Sequence, residues 1–169
     1  MALHLLEQIL LKSKKILGDE NLSVIIELLV FKYLNDQFEK ERNEIRQDFL
    51  LRGICSNEVN GLIEEETLYQ TYFIPKTCRW NFLKFILINE EINFKKNIKK
   101  IFELNRKNTK RQNPTIIKVS HFQMRQIIEL VDMFHFSFKS DIERKGAILT
   151  INEWGLKNNL DVFLLKQIH

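Results

Sequence analysis

The chain has 169 residues, enough for one domain, with or without a tail, to bury a core unaided by disulfides or metal. Hydrophobic residues make up 44%, while Gly and Pro number only 5 and 2; this excludes disorder over most of the chain and argues against turn-rich sandwiches. The net charge of +4 is a mild bias, so its distribution matters more than its size. Cys55 and Cys78 alone make neither a disulfide framework nor a zinc ribbon, and a reduced, cytoplasmic setting is expected. The first fifteen residues lack a basic n-region and a small-residue cleavage site, and they carry Glu7, so no secretory signal is expected. The most apolar stretch, residues 22–34, contains Glu27 and Lys32 and is too short to cross a bilayer, so no membrane association is expected.

In chain order, Leu6, Ile9, Leu10, Ser13, Ile16 and Leu17 fall at helical spacing, with Gly18 as a natural stop. A longer helix is expected from Asn21 or Ser23. Leu22, Ile25, Ile26, Leu29 and Tyr33 share one face of it, and Val24, Leu28 and Phe31 cover much of the rest. A helix apolar nearly all round is buried on several sides, so this one should be central, with its charged continuation over residues 39–48 running into solvent. Residues 53–61 read as a loop. Glu64, Glu65 and Glu66 begin a short helical or irregular stretch, where acids favour a helix N-terminus, and no catalytic role is assigned to them. Tyr72, Phe73 and Ile74 form a β-prone run ended by Pro75, and residues 79–87 read as a helix around Trp80.

In the next segment, Phe94, Ile98, Ile101, Phe102 and Asn105 recur at helical spacing, with two lysine- and arginine-bearing stripes beside them. Ser120 and Gln123 suit a capping box for a further helix, with Met124, Ile127, Ile128, Val131 and Phe134 on one face. Beyond His135 the period weakens, but Phe136, Phe138, Ile142, Ile148, Leu149, Ile151 and Trp154 suggest a packed extension. The expected fold is therefore an all-α multi-helix bundle of five or more helices, with room for a short β-hairpin or edge strand near residues 72–75. Trp80 and Phe31 should be largely buried.

Recognisable catalytic chemistry is sparse. The chain has no phosphate-cradling glycine loop, no nucleophile elbow and no H-E-x-x-H. His4, His121, His135 and His169 are scattered without metal-ligand spacing to either cysteine, so catalytic, cofactor-binding and metal residues are all expected to be absent. The basic window is the stronger signal. Eight cations (Lys95, Lys96, Lys99, Lys100, Arg106, Lys107, Lys110 and Arg111) stand against the single acid Glu103, a local +7. On a helix whose other face is apolar these charges form a ridge, equally readable as a solvated face or as a contact for phosphates or an acidic partner. Such contacts position a nucleic acid without reading its bases.

Three stretches carry a family resemblance. Leu28-Leu29-Val30-Phe31-Lys32-Tyr33-Leu34-Asn35-Asp36-Gln37-Phe38-Glu39 resembles the L-x-F-L-K-Y-L-S-D-x-F-E segment near the start of the modification (M) subunit of type I restriction-modification systems. Tyr72-Phe73-Ile74-Pro75-Lys76-Thr77-Cys78-Arg79-Trp80-Asn81-Phe82-Leu83 is similar to that family's F-x-x-P-x-x-x-R-W-x-x-L element, and Asn113-Pro114 echoes its E-x-N-P-x-L segment. The resemblance implies a helical N-terminal module of an adenine-specific DNA methyltransferase. That module would help the subunits close around DNA and would meet the specificity and other modification or restriction subunits.

S-adenosylmethionine is the cofactor of the intact family enzyme. Its glycine loop and N-P-P-[YF] motif are not in this sequence, so neither cofactor binding nor methyl transfer is expected of this chain alone. An excised domain, a truncated reading frame and a free-standing relative all fit. Residues 140–169 do not match the G-x-x-Y-E-Y-type junction that follows in the family. The expected division is therefore a helical domain over residues 1–138 and an extension over 139–169. A free-standing helical nucleic-acid-binding or regulatory protein, or a protein–protein adaptor, is the alternative reading.

Overall fold

The structure is a computed structural model, and it describes residues 3–70, 72–89, 91–109, 124–134 and 141–160. Seven α-helices and no strand occur among them. They are α1 (Leu3–Leu17), α2 (Leu22–Leu51), α3 (Ser56–Leu62), α4 (Trp80–Asn89), α5 (Glu91–Thr109), α6 (Met124–Met133) and α7 (Asp141–Lys157).

The all-round apolar stretch predicts a central helix, and α2 is that helix. Every residue from Val24 to Asn35 is buried, with α1 packed on one side and α5 on another. α1 contributes Leu6, Leu10 and Leu17, with Ser13 buried among them and its hydroxyl donating to the carbonyl of Ile9 at 2.8 Å. That intrahelical bond lets a polar side chain sit in the core. Gly18 ends α1 with φ 74°, and Gly53 follows α2 with φ 84°. At the second position the Gly53 N–H donates to Leu50 and the Ile54 N–H to Phe49, a paired closure that needs a left-handed residue.

Two sequence expectations are corrected. The loop read over residues 53–61 is in fact mostly α3, because burying Val59 and Ile63 outweighs the helix-breaking tendency of Gly61. That helix covers the far half of α2. Glu39, Arg42, Ile45 and Arg46 are thus half-buried, while Lys40, Asn43, Glu44, Gln47 and Asp48 run into solvent as expected. The β-prone residues 72–75 form no strand: no strand occurs among the described residues to pair with them. Their polar groups bond to helices instead. The Tyr72 hydroxyl donates to the carbonyl of Leu34 at 2.7 Å, and the Ile74 carbonyl accepts from Arg79 Nε at 3.1 Å.

α6 buries Ile127, Leu130, Val131 and Phe134, close to the expected face. The packed extension takes the form of α7, which docks chiefly on α1 through Ala147, Ile148, Ile151 and Trp154; Leu149 points outward. Lys14 Nζ donates to Asn158 Oδ1 at 2.7 Å across that seam. The expected capping box at Ser120 and Gln123, the Asn113-Pro114 element, and Phe136 and Phe138 lie outside the described residues.

Candidate nucleic-acid interface

α5 packs against α2, α4 and a one-turn 3-10 helix at Lys76–Cys78. Ile98 and Ile101 are fully buried on its inner face, and Phe102 and Leu104 are partly so. A polar anchor sets its register. The buried Asn105 amide donates to the Glu27 carbonyl at 2.8 Å and to Glu27 Oε2 at 3.0 Å. With the inner face held, the helical period turns Lys96, Lys99, Lys100, Arg106 and Lys107 outward, and all five are exposed, as is Glu103. Lys95 lies in α5, but its side chain and that of Phe94 are outside the described set, as are residues Lys110 and Arg111 entirely.

Elsewhere in the molecule some cations are paired, while others, such as Lys12, Lys15, Lys40 and Lys76, have no carboxylate partner among the described residues. Lys32 bonds to Asp36, Lys14 to Asp19 at 2.9 Å, and Arg52 to Asp48 at 2.7 Å. The five cations of α5 have no carboxylate partner among the described residues. Where α5 meets the turn at residues 75–78, Lys100 and Lys107 border a groove of about 270 Å³. Pro75, Cys78 and Leu104 contribute apolar surface to it, and Thr77 and Glu103 polar groups.

The first two stretches that carry the resemblance occupy a different place, around the buried corner between α2 and α4. Trp80 is 4% exposed and Phe31 fully buried, their rings 6.0 Å apart, as the periodic apolar pattern predicts. The Asn35 side chain accepts the Trp80 N–H at 2.9 Å, satisfying one of the free donors at the start of α4 from a neighbouring helix. Lys32 sits 5.6 Å above the Trp80 ring, and Arg79 lies 5.0 Å from the ring of Phe38. Arg79 grips Glu64 with two bonds of 3.0 and 2.6 Å, and Arg42 reaches the same carboxylate at 2.9 Å.

Glu64 thus fastens Arg79 and Arg42 rather than only serving a solvated helix start; its sequence neighbours held no hint of partners 15 and 22 residues away. The Arg79 hydrogen bonds hold its carboxyl below the usual range, opposed by partial burial and reinforced by Arg42. Burial pushes the Tyr72 hydroxyl up, with Tyr33 nearby adding to it.

Neither cysteine nor histidine assembles a nucleophile or metal site among the described residues. Cys55 is exposed, Cys78 is buried, and His4 on α1 is exposed and bonded to Gln8 at 3.0 Å. His121, His135 and His169 lie outside the described residues. The left-handed glycines Gly18 and Gly53 face open space, with nothing within 4 Å of an added Cβ. No described helix is long and apolar enough to cross a membrane.

Fold and surface together define an all-helical module with an internally latched corner and a cationic outer helix. The chain matches the family model described as the HsdM N-terminal domain over residues 10–147. It belongs to that family, the N-terminal domain of the M subunit of type I restriction-modification systems, whose setting is a complex with other subunits. No curated protein matches the chain significantly.

Proposed function

We propose that this chain is the non-catalytic helical module of a type I restriction-modification DNA methyltransferase, contributing to DNA clamping and subunit assembly. Its α5 ridge lies along the phosphate backbone of duplex DNA, and base recognition is left to other subunits. The observation that carries this reading is the set of five exposed cations on one side of α5 with no carboxylate partner among the described residues. Solvated ammonium groups already turned outward need little rearrangement to displace counterions from a polyanion. Lys95, Lys110 and Arg111 are further DNA- or partner-contact candidates in this reading. In this reading residues 139–169 are an extension, whose helix α7 packs chiefly on α1.

Fluorescence anisotropy with duplexes of several sequences tests the proposal. The expected affinity is on the order of 10⁻⁴ to 10⁻⁶ M, independent of sequence and falling steeply with salt. Replacing Lys96, Lys99 and Lys100 together by Glu lowers affinity at least about tenfold on every duplex and flattens the salt slope. Equal binding by wild type and the triple variant at low salt overturns the reading. A pure adaptor would bind no generic duplex at all.

A further inference from the structure

The exposed cations of α5 do not all face one way. At 3.6 residues per turn, Lys99 and Arg106 fall on one flank, Lys100 and Lys107 on the other, and Lys96 between them. Only the second flank borders the groove against the turn at residues 75–78.

That groove is poorly matched to a phosphate chain. A phosphate needs ammonium groups and water, whereas the groove has an apolar floor of Pro75, Cys78 and Leu104. Removing such surface from water stabilises a complex by about 25 cal/mol per Å², and only if an apolar group enters. Glu103 at the same groove repels a pure polyanion but tolerates a mixed segment. Lys100 and Lys107 stand seven residues apart, about 10 Å along the helix axis. In an extended chain, carboxylates four residues apart share a face with the residue midway between them and stand about 13 Å apart, a span that flexible lysine side chains can meet.

We propose that the groove seats one apolar side chain from an acidic segment of a second protein, with carboxylates on either side meeting Lys100 and Lys107. On this flank the ridge meets a subunit, which narrows its DNA contact to Lys96, Lys99 and Arg106. The inference rests on the reading of the chain as an assembly module. It adds the chemistry of the partner: an aromatic or aliphatic anchor between acids, seated as interface anchors usually are in a small pocket with a charged rim.

Amide chemical shifts of the full chain, titrated with an acetylated Glu-Asp-Phe-Asp-Glu peptide, test it. Saturable shifts at Thr77, Cys78 and Leu104 are expected. Replacing the Phe of the peptide by Gly weakens binding at least about tenfold, and a Lys-Lys-Phe-Lys-Lys peptide produces no shift there. Thr77→Arg, at an exposed position at the groove, abolishes the response while leaving the rest of the spectrum unchanged. No saturable shift at the groove overturns the proposal, as does equal response to the Gly peptide. Duplex DNA shifting Thr77, Cys78 and Leu104 as strongly as the acidic peptide overturns it in favour of nucleic acid. Duplex shifts confined to the Lys99 and Arg106 flank support both readings. Peptide binding without any duplex binding supports this inference while ending the DNA reading.

Discussion

Two regions of this molecule use charge in opposite ways. At the corner between α2 and α4, cations are paired with acids: Lys32 with Asp36, and Arg79 and Arg42 with a shared Glu64, Glu39 lying beside both. On α5, a few helical turns away in the same bundle, five cations stand in solvent with no described acid bonded to them. The two described motifs that mark the family lie at the first region and serve packing. The surface best suited to an external anion lies at the second, outside those motifs. A recognisable motif therefore identifies here the scaffold that orients a binding surface, and the surface itself has to be sought on the element the scaffold holds.

The comparison breaks if the corner is not a stability element. Trp80→Ala removes a buried ring packed on Phe31 and is expected to cost roughly 3–5 kcal/mol, lowering Tm by roughly 10 °C in thermal unfolding. An unchanged Tm contradicts it.

Arg79→Ala strips two hydrogen bonds from Glu64 and is expected to cost about 2 kcal/mol by urea unfolding. The same contact should show in the pH dependence. The Glu64 carboxyl is held below its unfolded value of 4.5, so its contribution is present above that pH and is lost as pH falls through the lower folded value. The stability gap between wild type and Glu64→Gln should therefore narrow from pH 7 to pH 3. A gap that stays constant would show that the ionised carboxylate contributes nothing.

The smallest expected effect sharpens the contrast. The triple Glu replacement of Lys96, Lys99 and Lys100 should change stability by less than roughly 1 kcal/mol, because none of the three is buried or paired among the described residues. Its effect belongs to binding. A large drop in Tm would make the ridge part of the fold.

Helical periodicity made much of this legible. The central position of α2, the burial of Phe31 and Trp80, and the outward turn of the α5 cations all follow from where apolar residues recur along the chain. The failures came where local signals compete with long-range contacts. Residues 53–61 contain two glycines, yet a short helix forms there because α2 offers a surface for Val59 and Ile63. Residues 72–75 have strand-forming side chains, yet in an all-helical neighbourhood their hydrogen bonds go to Leu34 and Arg79.

What the sequence by itself determined is the helical class, the core faces of α1, α2, α5 and α6, and the sign of the α5 surface. Each of these depends on residues at most a few turns apart. Only the tertiary structure decided which acid meets Arg79, which side chain accepts the first N–H of α4, and which flank of the ridge borders an apolar groove. Those outcomes join residues 15, 45 and about 30 positions apart. At such separations sequence spacing carries no geometric information, and the contacts exist only once the helices have packed.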